Sequence, residues 1–286
     1  MSTVFDDSVC TLGEGPLWHP DRQQLFWFDI DGKKLKTRQF GAVSVWQFDE
    51  NVSAAGWIDT ERLLLASETG LYVFTIETGT SELLVKLEAD VKGTRSNDGR
   101  ADPWGGFWIG TMGKNAEPEL GAIYRYYQGA LTKLYVNVTI PNAICFSPDR
   151  RYAYYTDTAK KQVMRQALRS TDGMPDDFAE VWLDLREEGL NPDGAVIDAE
   201  GRMWLAQWGA GRVACYDAEA QLLEAIEFPA RHTSCPAFGG PNLQTLYCTS
   251  AAIGVSKAQR EAEPTNGMTF AVKVNATGQR EHQVIL

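Results

Sequence analysis

Six residues with polar or ligating side chains recur in one register along the 286-residue chain: Glu14, Ser53, Asn97, Asn142, Asp193 and Cys235, spaced 39, 44, 45, 51 and 42 residues apart. Two carboxylates and two carboxamides brought to one point repel or go unsatisfied unless a cation joins them, and oxygen donors of this kind suit a hard divalent ion. A carboxylate beside such an ion can also take a proton from water. The same six residues have a second reading, as the polar lining of a water-filled channel bonded to solvent and to neighbouring strands. The contexts GEGP, PNAI and PDGA set Glu14, Asn142 and Asp193 beside Gly or Pro, where the backbone turns into a strand, and tilt the balance modestly toward the cation.

The register comes from a repeated turn, HPD, IDT, DPW, SPD, DAE and GPN, each with its third residue seven positions after one of the six anchors. Eleven and twelve residues past every anchor stands an apolar pair: Leu25-Phe26, Leu64-Leu65, Trp108-Ile109, Ala153-Tyr154, Trp204-Leu205 and Leu246-Tyr247. Two further β-patterned runs follow in each unit, such as GLYVFTI then SELLVKL. Units of roughly 40 to 45 residues with four antiparallel strands are the size of a propeller blade, whose innermost strand lies nearest the axis. The chain is therefore predicted to be all-β, a six-bladed β-propeller forming a single domain over residues 1–286. The segment before Glu14 is expected to join the last blade beside MTFAVKV, because ring closure removes exposed edges.

Composition narrows the partners. With 27 basic and 38 acidic residues the net charge is −11, which argues against nucleic acid or an acidic membrane surface as a partner. No run approaches the roughly 20 apolar residues of a membrane span, and the opening MSTVFDDSVC is no signal peptide, so a cytoplasmic, monomeric protein is expected. Five cysteines without any CxxC read as core thiols. His19, His232 and His282 lack metal-site spacing and are expected at the surface or behind the site, and no GxSxG nucleophile motif is present. Trp18, Trp27, Trp108, Trp204 and Trp208 lie in strand motifs as core residues, with one or two near the channel mouth as candidates for stacking on a ring.

The segments GEGPLWHP, RSNDGRADPWGGFWIGTM, PNAICFSPD, NPDGAVIDAEGRMWLAQW and CPAFGGPNLQTLYCTSA resemble, in order, the hallmark segments of the gluconolactonase and regucalcin (senescence marker protein) family. The resemblance runs from about residue 13 to the C-terminus. It implies one divalent metal in the channel, with Ca²⁺ the default from ligand hardness and Zn²⁺, Mn²⁺ or Mg²⁺ as alternatives, and hydrolysis of sugar lactones. Carried over by motif, the metal ligands fall on Glu14, Asn142 and Asp193, with Asp193 also the general base. The substrate contacts fall on Arg95 and Asn97. Some members carry a further substrate-contacting Glu shortly after GTM; here GTMGKNAEPELGA offers Asn115, Glu117 and Glu119, of which Glu117 is selected. The competing functional readings are a non-catalytic calcium-binding propeller and a propeller hydrolase of other esters.

Overall fold

All twelve residues of the apolar pairs are buried, and they set the architecture. Each pair lies in the second strand of its unit, where successive side chains face opposite sides and both sides are covered by a neighbouring sheet. A sheet apolar on both faces must be flanked on both faces, and a closed ring of sheets provides this for every unit. The computed structural model describes residues 1–39 and 41–286 and shows that ring: six four-stranded antiparallel sheets arranged as a six-bladed propeller. The innermost strands are Gly13–His19, Val52–Trp57, Thr94–Ala101, Pro141–Phe146, Asn191–Ile197 and Thr233–Gly239, in blades 1 to 6. Burial falls outward: every residue of Val52–Trp57 is buried, whereas the outermost Leu222–Glu227 of blade 5 is largely exposed. Blade 6 closes the ring as expected, with Thr3–Asp6 antiparallel to Thr269–Lys273.

Every innermost strand carries one extra residue at the level of its anchor. The pairing with the second strand slips between Glu14 and Leu17, Val52 and Ala54, Ser96 and Gly99, Asn142 and Cys145, Pro192 and Ala195, and Thr233 and Pro236. Such β-bulges twist a strand and re-aim a side chain, here at the same height in all six blades. After Glu14 and Asn142 the chain enters the left-handed region, at Gly15 (φ 52) and Ala143 (φ 55). Gly15 has a second reason to lack a side chain, since a Cβ there would collide with the carbonyl oxygen of Ser53 in the next blade. Ala143 adopts the same conformation with a Cβ, a strain of roughly 1–2 kcal/mol that the buried packing around it must offset.

The opposite end of the channel is closed by residues 277–285, a feature with no counterpart in the repeat. This strap bonds to the ends of the innermost strands and the turns beyond them in all six blades. Arg280 reaches Asp21 of blade 1, and the backbone N–H of Val284 donates to the carbonyl of Trp57 in blade 2 at 2.9 Å. Ile285 N–H donates to Gly105 of blade 3, and the Gln279 amide donates to Phe146 of blade 4 and Ile197 of blade 5. Gly278 N–H donates to Leu243 of blade 6. Within the channel Glu281 meets Arg100 at 2.6 Å. Among the described residues no helix is long and apolar enough to cross a membrane. The short helix Lys257–Ala262, unexpected from a strand-patterned sequence, starts at a capping box formed by Ser256 and Gln259.

Candidate active site at the channel mouth

The bulges deliver Glu14, Asn97, Asn142 and Asp193 from blades 1, 3, 4 and 5 to the floor of one cavity of about 470 Å³, with Arg95 in its wall. All five side chains are buried. The backbone N–H of Gly15 donates to Glu14 Oε2 at 3.1 Å. Arg95 Nη1 donates to Asn97 Oδ1 at 2.8 Å, and Asn97 Nδ2 donates in turn to Asn142 Oδ1 at 2.9 Å. Asp98 points away from this cluster into the next blade, where its carboxylate accepts the backbone N–H of Ile144 at 2.8 Å, as expected for a residue that pins the turn. Ser53 bonds to Ser96, and the thiol of Cys235 is buried against Gly194, where a Cβ on the glycine would overlap it. Thus Asp193 is brought to the site by a strand that only a glycine lets pass so close to blade 6.

The electrostatics of the floor are unbalanced. Burial and the neighbouring Asp98 carboxylate push Glu14 up to about 8. Burial, then Glu14 and Asp98, hold Asp193 well above the usual carboxylate range. Neither carboxylate has a basic partner within salt-bridge distance among the described residues. Two buried acids that favour the neutral form this strongly mark a place where positive charge is missing. No cluster of three or more His, Cys, Asp or Glu with metal-site geometry occurs among the described residues. Two carboxylates and the carboxamide oxygen of Asn142 could together hold a cation, and as hard oxygen donors they would suit Ca²⁺, Mg²⁺ or Mn²⁺ better than an ion that prefers soft ligands.

Glu117 is the one candidate that does not line the cavity. Its carboxylate turns back and accepts the backbone N–H and side-chain amide of Asn115 at 3.0 and 2.9 Å. Asn115 itself does line the cavity, next to Lys114, which pairs with Glu68 at 3.0 Å. Other wall residues were not singled out from the sequence: Leu12, Met112, Ile140, Thr158 and Ile253. Trp208 forms part of the same wall, stacked on His232 with ring centroids 4.3 Å apart and 7° between planes. Trp208 is one of the tryptophans the sequence offers for stacking on a ring, and Met112, fifteen residues past Asn97, shares its register position fifteen residues past Asp193. The other four tryptophans are core residues, all five cysteines are free and buried, and His19 is buried between blades 1 and 2 rather than at the surface, with Nε2 bonded to the carbonyl of Asp59.

Comparison with known proteins agrees with this geometry. The chain matches the family described as SMP-30/Gluconolactonase/LRE-like region over residues 12–252. It is 40% identical, over 97% of its own length and 95% of the relative's, to a protein of Rhizobium meliloti (strain 1021) provisionally assigned as a sugar lactone lactonase. It is 33% identical to the 6-deoxy-6-sulfogluconolactonase of Pseudomonas putida, covering 93% of this chain and 92% of that one. The crystal structure of a calcium-binding protein, regucalcin, from Agrobacterium tumefaciens superposes with a TM-score of 0.98 at 38% identity, over 100% of this chain and 98% of that one. A match across most of the chain, with a site built at the positions the family's motifs mark, places this propeller in the SMP-30/gluconolactonase/LRE-like family.

Proposed function

We propose that this protein hydrolyses sugar lactones to aldonic acids at the mouth of its channel, with a divalent cation held by Glu14, Asn142 and Asp193. The observation that carries the reading is the convergence of two unpaired, buried carboxylates and a carboxamide on the floor of a cavity walled by Arg95 and Asn97. Relatives along the whole chain bear lactonase names.

A lactone is a cyclic ester, so its hydrolysis needs water delivered to the carbonyl carbon and a counter-charge for the oxygen that becomes negative. A bound divalent cation supplies Lewis-acid polarisation of the carbonyl and acidifies water. Asp193 accepts the proton of the attacking water as general base. A cation held there would offset the repulsion from Glu14 and favour the ionised form of Asp193 that this role needs. Arg95 presents donors to the sugar hydroxyls from a guanidinium fixed by its bond to Asn97, and Asn97 adds its amide to the same wall. Trp208, held flat by His232, offers an apolar face to the C–H side of the ring. Glu117 acts at one remove, by holding Asn115 at the wall. The cavity, at about 470 Å³, accommodates a single pentose or hexose lactone, and its polar contacts choose among them.

The test is a panel of aldonolactones in a pH-indicator assay, run on native protein, on chelator-treated protein and after Ca²⁺, Mn²⁺, Mg²⁺ or Zn²⁺ is restored. Hydrolysis that disappears with chelator and returns with metal is the expected result. The regucalcin structure carries a calcium-binding name, so cation binding without hydrolysis of any lactone would favour a calcium-handling role instead.

A further inference from the structure

Five residues from three blades form a hydrogen-bond chain whose direction is fixed at both ends. Arg95 Nη1 donates to Asn97 Oδ1 at 2.8 Å, Asn97 Nδ2 to Asn142 Oδ1 at 2.9 Å, Asn142 Nδ2 to Thr158 Oγ1 at 3.0 Å, and Thr158 Oγ1 to the carbonyl of Pro192 at 2.7 Å. The two ends of an asparagine amide are alike in shape, so their orientation must be argued from the network. A guanidinium only donates and a carbonyl only accepts, and Asn97 Nδ2 makes a second bond to the carbonyl of Pro141 at 3.0 Å, which independently fixes its orientation.

The consequence falls on Asn142. The single hydroxyl proton of Thr158 is spent on Pro192, so Thr158 can only accept from Asn142, and Asn142 must turn its NH₂ toward blade 5 and its oxygen toward Asn97 and the cavity. One lone pair of that oxygen is taken by Asn97, leaving the other for a cation. Were the amide reversed, it would present two N–H donors where the site needs an oxygen, and the Asn142 oxygen and the Pro192 carbonyl would compete for the single hydroxyl proton of Thr158.

Thr158 is itself well fixed. It opens a short 3₁₀ turn, Thr158–Lys160, whose preceding residue Asp157 accepts the N–H of Ala159, while Asp157 also accepts the N–H groups of Thr139 and Ile140 just before the Asn142 strand. The chain ends on the residue preceding Asp193, so it ties the carboxamide of blade 4 to the carboxylate of blade 5.

We propose that Thr158 is a positioning residue for the cation site, setting which end of the Asn142 amide faces the cavity. The inference rests on the cation reading given above. Thr158→Val removes the hydroxyl at nearly constant shape, and Thr158→Ser keeps it. The measurement is Ca²⁺ affinity by titration calorimetry on metal-free protein, with thermal melting of each metal-free variant to verify folding. Loss of a group that orients a ligand typically lowers metal affinity by about 10- to 100-fold, so Thr158→Val should weaken Ca²⁺ binding by at least about tenfold while Thr158→Ser stays within about threefold. Should Thr158→Val not fold, Thr158→Ala removes the same hydroxyl without adding an apolar branch. Folded Thr158→Val or Thr158→Ala with wild-type affinity overturns the proposal, as does equal weakening by Val and Ser, which would assign the effect to shape. If the wild-type protein itself binds no Ca²⁺, the cation reading fails and this inference with it, an outcome distinguished by the absence of binding heat in all variants.

Discussion

At the mouth of the channel Glu14 and Asp193 are buried without a basic partner, whereas at the far end Arg100 meets Glu281 at 2.6 Å under a strap bonded to all six blades. The inner strands supply both ends, Glu14 and Asn142 near their starts and Phe146 and Ile197 at their finishes. One end stores charge that folding leaves uncompensated, and the other compensates its charge with the protein's own residues. Buried polarity thus has two uses in one channel. Where it is paired it holds the ring together, and where it has no basic partner among the described residues it is left able to receive a ligand, which favours that end as the proposed site.

The sharpest way to test this division is to neutralise each mouth carboxylate separately. Asp193→Asn should leave a folded protein with lactonase activity lowered by about 10² to 10⁴, the usual loss when a positioned general base is removed, and saturating metal should not restore it. Glu14→Gln keeps an oxygen donor and the base, so excess metal should recover much of its rate. Equal recovery of both variants would reduce Asp193 to a ligand and break the assignment.

At the far end the expectation reverses. Glu281→Gln leaves the half-buried Arg100 guanidinium without its counter-charge and should lower stability by about 1–2 kcal/mol in denaturant melts, with kcat per folded molecule unchanged. A large kcat loss at unchanged stability would mean that the two ends are not separate.

Acidity gives a third test. Glu14 has its folded-state pKa raised to about 8, so its neutral form suits the metal-free fold, and the associated stability is present below about 4.5 and lost as pH rises toward about 8. The raised Asp193 acts in the same direction. The melting temperature of metal-free wild type should therefore fall relative to Glu14→Gln between about pH 5 and pH 8, and added Ca²⁺ should stabilise more at the upper end, because binding displaces protons.

Smaller effects map the wall. Trp208→Ala should raise KM by about tenfold with little change in kcat, and Trp208→Phe should recover most of the loss, consistent with a stacking contact of roughly 1 kcal/mol. Glu117→Gln, acting through Asn115, should change kcat/KM by about twofold at most, as surface substitutions do. A loss comparable to Asp193→Asn would return Glu117 to the centre of the mechanism.

The fold was legible because a propeller repeats its physics: the same turn, the same apolar pair and the same anchor appear six times, so each blade corroborates the others. The ring of anchors followed from that register, and the family's motifs singled out three of its members. What the sequence did not reveal lies where the repeat is broken. The bulges that aim Glu14, Asn142 and Asp193 change pairing without a distinctive residue, Ala143 having no side chain that announces a left-handed backbone. Thr158 follows the second strand of blade 4 in a turn that no motif marks, and Glu117 sits in a loop where the nearest carboxylate in sequence proved to face its neighbour rather than the cavity. The strap is invisible to repeat analysis because it belongs to no blade.

Blade 6 joins Thr3–Asp6 to Thr269–Lys273, and the strap then reaches across every other blade. On a ribosome adding about 5–20 residues per second, the strand Thr3–Asp6 waits for its partner Thr269–Lys273 until the other five blades are made, and blade 1 has no blade 6 to lean on in the meantime. Until residue 273 has emerged the ring is an open arc with two unprotected faces, and until residue 285 has emerged its lower opening is uncovered. Closure therefore follows synthesis of the sixth blade, and the proposed cation site, whose residues come from blades 1, 4 and 5, takes its final shape only when the two ends of that arc meet.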